Sequence, residues 1–84
     1  MRDMVTPESI EDNIRQGMST TYLNVDGDGR HFEAVVVSEE FAGMNRIQRH
    51  QRVYKTLRDR MRDEVHALSI KTFTPQEWND RRKT

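Results

Sequence analysis

The spacing of apolar residues changes from one stretch of the chain to the next and predicts the secondary structure. Thr6-Pro7-Glu8 is a helix start, with a hydroxyl N-cap and a proline at the first helical position. Ile10 and Ile14 then give a one-sided apolar stripe, and Gly17 is a stop signal. We therefore expect a short first helix that ends near Gly17.

Two strands joined by a tight turn are expected next. In TTYLNV, Leu23 and Val25 alternate with polar residues, the period of a half-buried strand. The DGDG run at Asp26–Gly29 is a strong turn signal, and HFEAVVVS is typical of the returning strand. Residues 20–38 are therefore predicted to form a β-hairpin.

A long amphipathic helix is predicted from Asn45 to Arg62. When residues are placed at about 100° each, one arc of roughly 120° holds the apolar side, namely Ile47, His50, Val53, Tyr54, Leu57 and Met61. The remaining surface is basic, with Arg46, Arg49, Arg52, Lys55, Arg58, Arg60 and Arg62 set against one acid, Asp59. The apolar arc is the side expected to pack on the core.

The C-terminal part predicts one more strand and one more helix. His66–Phe73 is typical of a strand, and Thr74-Pro75-Gln76-Glu77 is a capping box that starts a helix, with Trp78 anchoring it on the core. The order is therefore αββαβα. Because a helix connects the second and third strands, these should be parallel with a right-handed crossover. The fold class is α+β, a three-stranded mixed sheet packed against helices.

Composition limits what such a domain can do. The 84 residues suit a single domain, expected to span residues 1–84 with flexible ends at 1–5 and 80–84. Fourteen basic and fourteen acidic residues cancel, so the whole chain exerts no long-range attraction on nucleic acid. The absence of cysteine excludes disulfides and suits a reducing cytosol. Without a signal peptide or an apolar run near the roughly 20 residues needed to cross a bilayer, a cytoplasmic location without membrane contact is expected.

Few motifs carry chemistry. DGDGRHF has the start of a calcium loop, but the fifth position, which needs a third oxygen ligand, holds Arg30, and the twelfth, which needs a glutamate, holds Val37. The chain contains no nucleophile motif, phosphate-binding glycine loop or zinc-protease spacing, so no enzymatic activity is expected. The basic helix side suits phosphates or an acidic partner, but an ordinary solvated face has the same pattern. Taken one at a time, His31, His50 and His66 are more typical of structural positions than of metal ligands.

Three segments taken together are more specific. GDGRHFEAVVVSEEF, FAGMNRIQRHQRVYKTL and VHALSIKTFTPQEW resemble the BolA family over roughly Pro7 to Trp78. The short hairpin turn is most similar to the IbaG/YrbA-like type, because the loop of BolA itself is longer. The resemblance implies an αββαβα fold similar to the type II KH domain. It also implies links to transcription regulation and to acid or envelope stress.

The resemblance further implies a partner and a cofactor. Family members bind a monothiol glutaredoxin and share a [2Fe–2S] cluster with it and with glutathione, and no cofactor is expected to bind tightly to the chain alone. By position, His66 matches the C-terminal histidine ligand and His31 the variable loop ligand, whereas His50 matches a helix residue that is not a ligand. Imidazole can replace thiolate on such a cluster. A chain without cysteine could therefore complete a shared site.

Two functions follow from these observations. The first is an adaptor that binds the glutaredoxin and takes part in iron–sulfur assembly, trafficking or iron and stress sensing. The second is a DNA-binding regulator of the stress response, although the G-x-x-G loop of nucleic-acid-binding KH domains is missing. The sequence leaves open whether the chain alone is a monomer or a weak homodimer. The candidate nucleic-acid or partner contacts are Arg46, Arg49, Arg52, Lys55, Arg81, Arg82 and Lys83.

Overall fold

The fold follows the predicted order of helices and strands. The computed structural model describes residues 6–28, 30–58 and 68–82. Its elements are α1 (Pro7–Gly17), β1 (Tyr22–Gly27), β2 (Phe32–Val37), a 3-10 turn (Glu39–Phe41), α2 (Arg46–Arg58), β3 (Leu68–Phe73) and α3 (Pro75–Arg82). The predicted end of the long helix at Arg62, the start of the third strand at His66, and Lys83 lie outside the described residues.

Each of the three helices begins with a reciprocal capping pair. The side chain of the N-cap residue accepts a hydrogen bond from the backbone N–H three residues later, and that later side chain accepts one from the N-cap backbone N–H. These bonds satisfy amides that have no partner inside the helix. The pairs are Thr6 with Ser9, Asn45 with Gln48, and Thr74 with Glu77.

The sheet is three-stranded and mixed, as predicted. Its strand order is β1-β2-β3, so β2 is central and both β1 and β3 are edge strands. β2 pairs antiparallel with β1 and parallel with β3. The register sets Phe32 beside Leu68 at one end and Phe73 beside Val37 at the other. The start of β2 and the start of β3 therefore lie at the same end of the sheet.

The core lies between one face of the sheet and helices α1 and α2. Alternate residues of all three strands are buried on this face, and α1 contributes Ile10 and Ile14, both with no exposed surface. Phe41, from the 3-10 turn, is also fully buried. The buried strand residues are Leu23, Val25, Phe32, Ala34, Val36, Leu68 and Ile70.

The buried side of α2 differs from the predicted arc. Val53 and Leu57 are buried as expected, but Ile47 is 68% exposed and Thr56 is buried. The prediction was wrong at Ile47 and left out Thr56, because α2 packs on α1 as well as on the sheet. The C-terminus of α1 offers Gly17, and Thr56 fits against it. The helix is therefore rotated toward α1, and Arg49, on the predicted basic side, has a side chain only 14% exposed.

The face of the sheet opposite the core is covered at one end by α3. Tyr22, Val37 and Phe73 are in register there, and Val37 is almost fully buried. The Trp78 ring stacks on Tyr22 at a centroid distance of 5.0 Å and lies 5.3 Å from the Phe73 ring. Trp78 therefore anchors α3 as predicted, but on this aromatic row rather than on the main core. No helix in the described part of the chain is sufficiently long and apolar to traverse a bilayer.

Candidate functional site

His31 lies at the end of the sheet where β2 and β3 begin. Its side chain is exposed, and it immediately precedes Phe32, the first residue of β2. Phe32 is the register partner of Leu68, the first residue of β3. An exposed imidazole thus lies at the end of the parallel strand pair β2–β3. Such a position leaves its ring nitrogens open to a ligand or a partner.

The backbone before His31 is held by a carboxylate. Asp28 accepts hydrogen bonds from the backbone N–H groups of Arg30 and His31, each at 2.9 Å. The Asp28 N–H in turn donates to the His31 carbonyl at 3.2 Å. The bonds from His31 and then Arg30 lower the pKa of Asp28 from its ordinary value of 3.8, because they stabilise the charged form. The Asp28 side chain therefore fixes the main chain at Arg30 and His31.

His66, the other predicted ligand, lies outside the described residues. The sequence puts it two residues before Leu68. Of the two predicted ligands, the structure therefore places only His31.

The donor set limits the kind of metal centre that this end can hold. The sequence contains no cysteine. Within residues 6–28, 30–58 and 68–82, no group of three or more His, Cys, Asp or Glu side chains is arranged to hold a metal ion. An exposed imidazole such as His31 fits a centre whose thiolates would come from a partner, because imidazole can replace thiolate on an iron–sulfur cluster.

Two of the predicted basic contacts already have partners within the chain. The Arg49 guanidinium forms a two-pronged ion pair with Glu77, with bonds of 2.8 and 3.2 Å, and its Nε donates to the Met44 carbonyl at 3.0 Å. Arg52 donates to Glu40 at 3.0 Å and to the Gly17 carbonyl at 3.1 Å. Both arginines therefore join elements of this fold.

The other predicted cations are differently placed. Arg46 and Lys55 are exposed on α2 and form no ion pair with any described residue. The Arg81 guanidinium lies over the rings of Phe73 and Trp78, at 5.3 and 5.7 Å. Arg82 is the last residue of α3. Among the α2 cations whose side chains the structure describes, Arg46 and Lys55 are therefore the most available to a phosphate or an acidic group.

His50 lies at the other end of β3 from His31. It is half-buried and lines a cleft of ≈ 350 Å³ with Arg46 and the four β3 residues Ile70–Phe73. We refer to this feature as the β3-edge cleft. The sequence did not predict it, because it depends on β3 being an edge strand, and strand order is not encoded in any single motif.

The sequence and the fold match those of known proteins. The chain belongs to the BolA family, whose model, described as "BolA-like protein", matches residues 4–77. It is 40% identical over 75 residues to "Acid stress protein IbaG" of Escherichia coli strain K12, covering 88% of this chain and 89% of that one. It is also 40% identical over 91 residues to "DNA-binding transcriptional regulator BolA" of Haemophilus influenzae, covering 96% and 88%.

A solved structure agrees with this assignment. A BolA protein homologue from Coxiella burnetii matches with a TM-score of 0.80 and 43% sequence identity, over 90% of this chain and 99% of that chain. The predicted family and the α+β BolA-like fold are thereby confirmed. The relatives are named as regulators or stress proteins rather than as enzymes.

Proposed function

We propose that this chain is an adaptor that binds a monothiol glutaredoxin and supplies histidine ligands to a [2Fe–2S] cluster shared with glutaredoxin and glutathione. The observation that carries the proposal is the exposed His31 at the start of β2, beside the strand that follows His66. Membership of the BolA family supports the same assignment. The role would be in iron–sulfur assembly, trafficking or sensing.

The chemistry of the site suits a shared cluster. Such clusters take four protein or thiol ligands, and imidazole can replace thiolate on one iron. This chain contains no thiol of its own, so the thiolates must come from the glutaredoxin cysteine and from glutathione. The task of this chain is to present neutral imidazole nitrogens. Asp28 serves that task by fixing the turn that leads to His31.

A pH dependence follows from imidazole ligation. Only the neutral ring binds iron, so protonation competes with the metal. The stability of the mixed complex should therefore fall in acid. A thiolate-only complex of the glutaredoxin alone is the comparison that isolates this effect.

The test combines the protein with a monothiol glutaredoxin, glutathione, iron and sulfide under anaerobic conditions, with visible circular dichroism as the measurement. The variants are His66→Ala and His31→Ala. His50→Ala is the matched control, because His50 is the third histidine of the chain and lies at the other end of β3. Far-ultraviolet circular dichroism establishes that each variant is folded.

We expect a spectrum that differs from the glutaredoxin's own cluster and is changed by His66→Ala, with a smaller change for His31→Ala and none for His50→Ala. If wild type and all three variants leave the glutaredoxin spectrum unchanged, the adaptor proposal fails. If His50→Ala alters the spectrum as much as His66→Ala does, the ligands have been misassigned although the partnership stands.

Direct DNA binding is the second candidate. It is favoured by the exposed, unpaired state of Arg46 and Lys55 among the described residues and by the name of the Haemophilus relative. Duplex binding through these cations should weaken with salt, with a log–log slope of about −0.9 per phosphate neutralised. Arg46→Ala and Lys55→Ala should each reduce the slope by about one contact. Binding that ignores salt, or no binding at low salt, would exclude this function.

A further inference from the structure

The two edge strands of the sheet differ in whether a side chain blocks their outward backbone groups. At the β1 edge, the Glu11 carboxylate accepts the outward backbone N–H of Val25 at 3.2 Å. A side chain from α1 thus blocks the middle of that strand, a usual way to prevent pairing with another chain. The β3 edge lines the β3-edge cleft instead.

The hydrogen-bond pattern shows which groups of β3 face outward. The Ser38 N–H donates to the Phe73 carbonyl at 3.0 Å, so Phe73 directs its main-chain groups toward β2. In a parallel ladder, residues alternate between facing the neighbouring strand and facing away from it. Lys71 therefore also faces β2, whereas Ile70 and Thr72 direct their N–H and C=O groups to the free edge.

A side-chain cap at Leu68 agrees with this alternation. The Leu68 carbonyl, which also points to the free edge, accepts a hydrogen bond from the Tyr54 hydroxyl at 2.9 Å. No described residue makes a hydrogen bond to the outward groups of Ile70 or Thr72. The free edge of β3 is thus capped at its start and open at Ile70 and Thr72, the part that lines the cleft.

Both sides of this open edge carry positive charge. Arg46, exposed and without an ion pair among the described residues, lies on the α2 side of the cleft beside His50. Lys71 projects on the opposite face of the sheet, and its 3.7 Å pair with Glu33 is exposed and weak. An added strand would therefore meet a cation from each of its faces.

We propose that the free edge of β3 binds an extended acidic peptide segment by strand addition. The backbone of the segment pairs with Ile70 and Thr72. Its alternating side chains then point to Arg46 on one face and to Lys71 on the other, so acidic residues are preferred on both. Main-chain hydrogen bonds supply affinity in this mode of recognition, and the side chains supply selectivity. This function is separate from the proposed ligand His31, which precedes Phe32 at the other end of the strand pair.

The test is an NMR titration of the ¹⁵N-labelled full chain with a capped octapeptide that repeats Glu-Glu-Thr-Thr, which places glutamate on both faces of a strand, at up to millimolar concentration. The same peptide with lysine in place of glutamate is the charge control. We expect the largest amide shifts, and slowed hydrogen exchange, at Ile70 and Thr72 with the acidic peptide alone. Affinity should also weaken as salt is added.

Variants separate the two contributions. Arg46→Glu should weaken acidic-peptide binding about fivefold, the effect of one exposed charge contact. Lys55→Glu, at another exposed position on α2, should leave it unchanged. Thr72→Pro removes an outward N–H without removing a bond to β2, and it should abolish binding. Thr72→Val keeps the N–H and should bind as wild type, with circular dichroism reporting the folding of each variant.

Several outcomes would overturn the proposal. These are no shift at millimolar peptide, equal binding of the lysine peptide, or shifts confined to residues away from β3. If an octathymidylate shifts the Ile70 and Thr72 amides more strongly than the acidic peptide does, the cleft is a nucleic-acid site. If dilution of the protein alone moves the same amides, the edge pairs with a second copy of this chain.

Discussion

Thr56 occupies the space that a side chain on Gly17 would need. A Cβ built on Gly17 would lie 2.6 Å from the Cβ of Thr56 and 2.7 Å from its Cγ2. Thr56 is fixed in turn, since its hydroxyl donates to the Val53 carbonyl at 2.7 Å. The close approach of α1 and α2 therefore depends on the missing side chain of Gly17, which also ends α1.

Gly17→Ala should reduce the free energy of unfolding by about 1–3 kcal/mol, the usual cost of overpacking a tight contact. Adding Thr56→Ala removes the Cγ2 contact but leaves the two Cβ atoms opposed, so it should recover only part of the loss. Urea denaturation measures both effects. Gln16→Ala, at the exposed neighbouring position, is the control and should stay within about 0.5 kcal/mol of wild type. An unchanged Gly17→Ala protein would contradict this packing.

Glu77 ties α3 to α2 and should make stability depend on pH. The Arg49 guanidinium, followed by the Thr74 N–H, lowers the pKa of Glu77 from its ordinary 4.5. A carboxyl whose pKa is lowered by folding stabilises the fold above its unfolded value, and this contribution disappears as the pH falls through the folded value. Glu77→Gln should therefore cost about 0.5–1 kcal/mol near neutral pH, a figure that allows for its exposed side chain.

The difference between wild type and Glu77→Gln should shrink below pH 4.5. Denaturation measured near neutral pH and again in strong acid tests this. Glu33→Gln, which removes only the exposed 3.7 Å pair with Lys71, is the matched control and should have a smaller effect at neutral pH. A difference that persists unchanged in strong acid would contradict the role of the Glu77 carboxylate.

Asp28 should control the order of the turn before His31. Asp28→Ala removes the acceptor of the Arg30 and His31 amides, so these amides should exchange with solvent faster and the turn should gain motion on the nanosecond timescale. Hydrogen exchange and ¹⁵N relaxation measure the two effects. Asp26→Ala is the control within the same hairpin, because the Asp26 carboxylate accepts from Asn24 instead of from the turn.

Glu11 should protect the β1 edge. Glu11→Ala leaves the Val25 N–H without its acceptor, which should raise its exchange rate and cost about 1 kcal/mol, the net value of one hydrogen bond. The exposed edge should also increase self-association at high concentration, measurable by light scattering. Asp12→Ala, the exposed neighbour on α1, should change neither property. Equal behaviour of the two variants would remove edge protection as the role of Glu11.

The rotation of α2 can be tested by a pair of substitutions. Ile47→Gln should leave the free energy of unfolding within about 0.5 kcal/mol of wild type, because Ile47 is largely exposed. Val53→Ala should reduce it by about 1–3 kcal/mol, because Val53 is fully buried and its truncation leaves a cavity. Thermal or urea denaturation of the two proteins side by side suffices. A costly Ile47→Gln would restore the arc expected from the sequence.

Features that depend on neighbouring residues were readable from the sequence. The helix starts at Thr6 and Thr74 come from local hydrogen-bonding chemistry, and the parallel pairing of β2 with β3 follows from the helix that connects them. The exposed state of Ile47 was not readable, because the phase of α2 is set by α1. Ion pairs between distant residues could not be predicted either, since Arg49 and Glu77 are 28 residues apart and only the fold brings them together.

Only part of the geometry around the candidate site could be predicted from the sequence. The exposed position of His31 beside the first turn follows from the hairpin pattern, and the structure adds the Asp28 bonds that order it. The basic side of the long helix was predicted as one surface for phosphates or an acidic partner, but the fold uses some of its cations in internal ion pairs. Arg52 bonds Glu40 and Arg49 bonds Glu77, whereas Arg46 remains exposed. A sequence pattern gives the residues on a helix but not the acids that other elements bring to them.

The stacking of Trp78 on Tyr22 and Phe73 has an optical consequence. Trp78 is the only tryptophan of the chain, so all indole emission comes from the point where α3 meets the sheet. Detachment of α3 from the sheet would expose the indole to water and change its emission. If the main core unfolded first, the emission would stay unchanged until α3 detached. The protein therefore contains a single built-in fluorophore that reports on its last helix.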